Sequence, residues 1–370
     1  MPSISIRLNR RGAILPLTVI VLSLMAVAVA ITYTRISSER VLTGDAKAQA
    51  GAFAVAQSGL SRYMSTLAGK PGPSATVNYV DLPGGTAQVD VRMLRESTTT
   101  MLPAVYVVTS RGRYTAARRY NSLTPSAERT VGTYAIWTPT PFDLNGAYTS
   151  LAPITQNGAG SGGLSGVDRC TAANGGAQSS IPGVALPDGA GPNGTSYSGS
   201  VTPIDGNPND LPVGIGSAGP TGTAKDEVDI DWAGIVAGTS LPADYTSWPA
   251  SFTSPKDWPI TKINGDFTLP GSGKGILIVT GNLTWNGTPL KTWEGLLLVG
   301  GIITSNGAAN VYGAVMTALN VKLGMTVPGY NVGNGTKTFQ YDSCNLKRAL
   351  GRIGSLQRVR NGWTDTWPSY

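Results

Sequence analysis

Between Arg11 and Arg35 the chain carries no charged residue; Gly12 through Thr34 read GAILPLTVIVLSLMAVAVAITYT. As a helix rising about 1.5 Å per residue, this run reaches about 34 Å, enough to cross a hydrocarbon core about 30 Å thick. Arg7, Arg10 and Arg11 precede it, and Arg35 and Glu39 follow. The positive-inside rule then places the short N-terminus in the cytoplasm and the rest of the chain outside. Pro16 falls in the first helical turn, where the amide groups have no intrahelical partner. Beyond the run, Leu42, Ala46, Ala50, Phe53, Ala56, Leu60, Met64 and Leu67 recur every three or four residues. That spacing draws one apolar stripe on a continuing helix. Gly69, Pro71, Gly72 and Pro73 stop it. One helix is therefore expected from about Ala13 to about Ala68, its first half suited to lipid and its second to a soluble domain. A cleaved secretory signal is the rival reading, since Ala26-Val27-Ala28 and Ala28-Val29-Ala30 both fit a cleavage site. Such a signal has no reason to run on into an amphipathic helix.

Past the helix, composition narrows the fold. Charged residues make up only 13% of the 370 residues, and there are 48 glycines. This is the composition of a turn-rich, all-β extracellular protein. In Ala87–Met93 apolar and polar residues alternate strictly, as in a half-buried strand. Val105–Thr109 is a continuous β-branched and aromatic run, expected to be a more buried strand. GILIVTGNLTWNG at 275–287 returns as GLLLVGGIITSNG at 295–307, a period of 20 residues, and a decayed copy starts at Gly313. Short apolar strands with glycine corners at this period predict a β-solenoid, with Ile276, Ile278, Leu296 and Leu298 in inward columns. A meander of hairpins is the alternative. From about Leu144 to Ala224, rich in Gly, Ser, Ala, Pro and Asn, long loops on irregular rungs are expected. Leu346, Leu350, Ile353, Leu356 and Val359 have helical spacing, which predicts a short amphipathic helix over Cys344–Val359.

Few residues suggest chemistry. There is no histidine, which removes Ser-His-Asp and Cys-His catalysis and most zinc sites. The two cysteines, Cys170 and Cys344, would form one disulfide in an oxidising compartment, with two buried thiols as the alternative. Asp205, Asn207, Asn209 and Asp210 place oxygen ligands as calcium loops do, so calcium is the one cofactor with a candidate site. A solvated turn explains the same residues, because Asp210 stands where the loop glycine belongs. Gly271-Ser272-Gly273-Lys274 lacks the first glycine and the final Ser or Thr of a phosphate-binding loop. The GxGxxG match at 158–163 lies in a glycine-rich tract. Asp229 and Asp231 alternate as on one strand face, the thin basis for a glycan-cleaving carboxylate pair. The formal charge of +7 includes the three leader arginines. Clusters at Arg111, Arg113, Arg118 and Arg119 and at Lys347, Arg348, Arg352, Arg358 and Arg360 read as solvated surface, so no specific nucleic-acid partner is expected.

The N-terminal sixth of the chain also resembles a known family. RRGAILPLTVIVLSLMAVAVA, then Glu39-Arg40 with Thr43-Gly44-Asp45, then Phe53-Ala54-Val55-Ala56-Gln57-Ser58-Gly59-Leu60, is similar to the PilX N-terminal domain family of type IV pilus minor pilins. Gln57 and Ser58 replace that family's usual glutamate and alanine. The resemblance covers about 60 residues. It implies cleavage after Gly12 by a prepilin peptidase and methylation of the Ala13 amine. The fifth mature position, a glutamate in most major pilins, is Leu17 here, which implies a priming or tip subunit. The resemblance further implies a single-pass protein of the bacterial inner membrane that contacts other pilins through its N-terminal helix, and a surface ligand or adhesin beyond the membrane. The expected architecture is mainly β with one long N-terminal α-helix. It divides into a leader (1–12), the helix (13–68), a small antiparallel region (76–135), a β-solenoid-like domain with Gly-rich loops (136–340) and a C-terminal amphipathic helix and tail (344–370). The expected function is a non-enzymatic pilus-assembly subunit. The alternatives are a tip pseudopilin of type II secretion and a membrane-tethered β-helical carbohydrate-active enzyme.

Overall fold

The computed structural model describes residues 14–67, 69–96, 103–115, 126–140, 142–156, 163–171, 178–199, 204–207, 210–253, 257–332 and 337–365. A single helix, α1 (Ile14–Thr66), opens the fold. At 53 residues it is about 80 Å long. Every side chain from Pro16 to Thr43 is exposed. Its apolar part is long and apolar enough to cross a membrane, with none of it buried in the protein. The seated face begins at Ala48 and continues through Ala52, Val55, Ala56, Leu60 and Tyr63. Leu42, Ala46 and Ala50, expected on that stripe, are exposed. Ala48 and Ala52 meet Ala127 and Tyr114 on the strands beneath them, and the described part of the sheet reaches no further towards the N-terminus.

Those strands are β1 (Ser74–Leu82), β2 (Gly85–Arg95), β3 (Ala104–Thr115) and β4 (Ser126–Pro139), an antiparallel run in sequence order. In β2, Ala87, Val89 and Val91 are buried and their neighbours are not, as the alternation predicts. β3 departs from expectation: Tyr106 and Val108 are buried, but Val105 and Val107 are only half-buried. Its inner face lies against α1, whereas its outer face remains partly open. Gly112 is where backbone meets backbone, because a Cβ there would collide with Ala52 and Ala56 of the helix.

The stack follows. Its strands are β5 (Tyr148–Ser150), β6 (Ile154–Gln156), β7 (Leu164–Ser165), β8 (Val184–Leu186), β9 (Tyr197–Gly199), β10 (Ile204–Asp205) and β11 (Val213–Gly214). After two short helices, α2 (Ala224–Glu227) and α3 (Trp232–Ala237), come β12 (Ile260–Ile263), β13 (Phe267–Thr268), β14 (Gly273–Val279), β15 (Leu283–Val299), β16 (Ile303–Thr317), β17 (Tyr330–Asn331) and β18 (Lys337–Tyr341). The chain ends with α4 (Ser343–Leu350) and β19 (Gly354–Asp365). Every pairing among β5–β18 is parallel. A meander of hairpins cannot produce that, since hairpins pair antiparallel strands. The repeats align as read: Gly275 opposes Gly295, Ile278 opposes Leu298, and Gly287 opposes Gly307. The next copy closes up by two residues, because the register shifts after Gly287 and Gly295 opposes Gly313. An earlier rung that the repeat does not reveal pairs Ile260 with Ile276. The Gly-rich middle supplies rungs of its own through β5, β8 and β11.

The ladder order is β11-β8-β5-β16-β15-β14-β12, so the chain does not climb the stack in one direction. It starts in the middle, moves to one end, crosses back through α2 and α3, and builds inward from the other end. Lys322 Nζ ties the crossover to the stack by donating to the Lys225 and Val228 carbonyls at 2.6 and 2.7 Å. Ile276 through Val279 and Leu296 through Val299 are all buried, so both faces are covered, as their unbroken apolar runs require.

The C-terminus corrects the sequence reading. The helix expected over Cys344–Val359 stops at Leu350, and Gly354–Asp365 pairs antiparallel with β4, adding a fifth strand to the first sheet. Gly354 lies so close to the Thr138 carbonyl that any Cβ would collide with it, and Leu356 is buried opposite Trp137. A strand with one buried apolar position in this stretch gives the same apolar spacing as a helix. Everything from Thr140 to Ile353 is thus an insertion between two adjacent strands of the helix-bearing sheet. Its two ends meet, with the Thr140 amide donating to the Ile353 carbonyl at 3.0 Å.

Two substitutions test the columns. Leu298→Asp would leave an unpaired carboxylate in a fully buried column and is expected to cost several kcal/mol. Thr304→Asp, at an exposed neighbouring position, is expected to stay within about 0.5 kcal/mol of the parent. Thermal melts of detergent-solubilised full chain compare the two, and equal melting of Leu298→Asp and parent would remove the column. Ser305, next to it, is 8% exposed and opposes Trp285, so it is no control.

Candidate functional site

The polar chemistry of the described residues gathers where α4 meets the stack. Asp168, in the turn after β7, accepts four hydrogen bonds: from the Cys170 amide at 3.1 Å, the Gln178 amide at 2.6 Å, the Ser343 amide at 2.9 Å and the Ser343 hydroxyl at 2.6 Å. Burial pushes its pKa up, but these donors outweigh burial and hold the carboxyl below its ordinary value. Asp342 caps α4 by accepting from the Asn345 amide at 2.9 Å and forms an ion pair with Arg169 at 3.4 Å. The Arg169 guanidinium lies over the Tyr312 ring, 3.9 Å from its centroid. Cys170 and Cys344, 5.4 Å apart at Cα, are joined by a disulfide. Together these contacts fasten the first turn of α4 to the loop that follows β7. A cleft of about 390 Å³ opens beside them, lined among others by Glu294, Asn345 and Arg348.

A second polar centre marks the junction between stack and sheet. Arg352 pairs with Asp244 at 3.0 Å, both side chains largely buried. Trp137 Nε1 donates to the Gly351 carbonyl at 2.8 Å, and the Lys70 amide donates to the Arg352 carbonyl at 3.4 Å. Lys70 follows the end of α1. The stack is therefore attached at the end of the sheet module farthest from the apolar half of the helix.

The remaining sequence candidates are dispersed. Gly12 and Ala13 lie outside the described residues, as do Asn209 and the GxGxxG tract through 162. Asp205 is exposed on β10, the Asn207 amide donates to Ile181, and Asp210 Oδ1 accepts from the Gly206 amide at 3.2 Å. Among the described residues no group of three or more acidic, cysteine or histidine side chains is close enough to hold a metal. Gly273 and Lys274 lie within β14, not in a loop, and Lys274 pairs with Asp257. Asp229 and Asp231 are not on a strand face. They lie in the turn between α2 and α3, where Asp231 caps α3 through Gly234 and accepts from the Ser240 hydroxyl. That hydroxyl, with the Gly234 amide, lowers the Asp231 pKa. Sequence reasoning missed Asp168, Asp244 and Asp342. Only Asp342 had a local signal, an aspartate directly before an apolar helical spacing.

No protein-family model matches the chain, and no curated protein matches it. Among solved structures, the competence-associated pilin ComZ from Thermus thermophilus is similar over 86% of this chain and 98% of that chain, at 11% identity and a TM-score of 0.22. A likeness of that size carries no argument about what this chain does.

The Asp168 contacts generate an acid-stability prediction. A carboxyl whose folded pKa is depressed contributes stability that is present above its unfolded pKa, about 3.9, and is lost as pH falls through the folded value. Asp168→Asn is expected to cost about 1–3 kcal/mol at neutral pH. The gap from the parent should narrow below about pH 3.9. Denaturant melts across the acid range measure both effects. Non-reducing peptide mapping should recover Cys170 and Cys344 in one linked peptide.

Proposed function

We propose that the chain is a minor pilin-like assembly subunit, anchored in the bacterial inner membrane by α1 and carrying its stack outside the cell membrane. The observation that supports this most is the division of α1: an apolar half exposed on every side, continuous with a half seated on a small antiparallel sheet. The exposed half suits lipid and then the helices of other pilins. The basic leader favours an N-terminus in the cytoplasm, cleavage after Gly12 by a prepilin peptidase and a methylated amine on Ala13. Leu17, in place of a glutamate, favours a priming or tip position over the repeating shaft. The attachment of the stack favours the same position. An insertion this large, fixed at the far end of the module, suits display better than close repetition in a shaft. We read the parallel stack as a β-solenoid that makes surface or partner contacts, and we assign it no catalytic step.

The decisive measurement is the mature N-terminus. Intact mass and N-terminal sequencing of membrane-extracted protein are expected to give a chain beginning at methylated Ala13. A start at Val29 or Ile31 would mean a cleaved secretory signal, the loss of the apolar half and the end of the pilin reading.

A further inference from the structure

α1 is one unbroken helix, but its three stretches differ in support. The charge-free run through Thr34 suits lipid, and the face from Ala48 onward is seated on the sheet. Between them Arg35–Lys47 rises about 20 Å with neither. Every side chain in it is exposed, and Arg35, Glu39, Arg40, Asp45 and Lys47 form no ion pair among the described residues. Its supported neighbours spare it the cost of nucleation, but each of its own turns must hold by propensity alone. Ser37, Ser38, Val41, Thr43, Gly44 and Asp45 all rank low on that scale. Two of its hydroxyls also turn back on the helix: Ser38 donates to the Thr34 and Arg35 carbonyls at 3.0 and 2.9 Å, and Thr43 to Glu39 at 2.7 Å. Such contacts weaken and bend helices slightly.

The glycines of α1 locate the weakest point. A Cβ at Gly51 would strike the Tyr114 ring, and one at Gly59 the Ala87 side chain, so close packing explains both. A Cβ at Gly44 would meet nothing within 4 Å. No contact within the described subunit requires glycine there, and in an exposed helix interior its effect is to soften the backbone. We propose that Ser37–Asp45 is a hinge. It opens locally while the anchor below and the seat above stay helical, and the extracytoplasmic body tilts over the membrane about it. Sheet and stack tilt together, because the Arg352–Asp244 pair and the Thr140 to Ile353 hydrogen bond hold them to each other. The hinge rests on α1 being retained as the anchor, which the mature N-terminus decides separately.

Amide hydrogen exchange of the full chain in lipid nanodiscs tests this. Amides of Ser37–Asp45 are expected to exchange about tenfold faster, or more, than those of Ala52–Leu60 on the seat and Val19–Val29 in lipid. Gly44→Ala should slow that window about fivefold, and Ala46→Gly should hasten it by a similar factor, with Ala52–Leu60 unchanged. Spin labels at Val29→Cys and Thr86→Cys, on either side of the window, should give a broad distance distribution that Gly44→Ala narrows. Equal protection in all three windows, one sharp distance in the parent, or exchange untouched by Gly44→Ala would overturn the hinge. If these fail while the mature chain begins at Ala13, the anchor stands and only the hinge is lost. A start at Val29 or Ile31 would remove the anchor and the hinge together.

Discussion

The structure beyond the helix depends on one antiparallel pairing, that of β19 with β4. Leu356 is buried opposite Trp137 and Gly354 opposes Pro139, so the chain that leaves the sheet after Pro139 must come back to the same edge. The cost of closing a loop grows only slowly with its length, so a whole domain can occupy that gap if its own ends lie side by side. The Thr140 to Ile353 hydrogen bond shows that they do, and the Arg352–Asp244 pair beside it joins the loop leading into β12 to the segment entering β19. Removing either partner would strand a buried charge, so the attachment is a fixed joint and not a tether.

A stack that begins in its middle needs a reason for its two runs to meet in one register. The seam supplies it. The end of β16 pairs with β5, the first strand of the stack in sequence, and Thr317 lies opposite Ser150. Around that contact the Tyr148 and Tyr330 hydroxyls meet at 2.7 Å and the Thr317 hydroxyl meets Tyr330 at 2.6 Å, all buried. Burial pushes both tyrosines above their ordinary pKa, so they remain neutral donors and acceptors. Apolar rungs could slide by a residue at modest cost, but hydroxyls enclosed in a core are satisfied in one register only.

How far the sequence reveals this fold varies with the range of the forces involved. The helix was legible because charge-free length and helical spacing are local properties. Rungs 275–307 were legible because a repeat carries its own register, which the aligned glycines Gly275, Gly295 and Gly313 preserve where one backbone packs on the next. The rung at Ile260 and those at Tyr148, Val184 and Val213 were not, since their partners are set by offsets that follow no period. β19 was misread for a related reason. Leu356 has helical spacing from Leu346 and Leu350, and only the distant edge of β4 decides that it belongs to a strand. Asp168 is the extreme case, an ordinary loop aspartate whose donors come from three separate segments.

The same division explains where function can reside. The sheet and the seated half of α1 form a module whose inner surface is consumed by packing, with Ala56 and Leu60 fully buried against strands. The apolar half of α1 is exposed on every side and packs against none of the described protein. The stack is the reverse. Its core and seam are closed, its ends are tied to the sheet, and the side chains left to act are those outside the columns. Parallel stacking places such residues in straight rows at a fixed spacing, which a loop-built site cannot do.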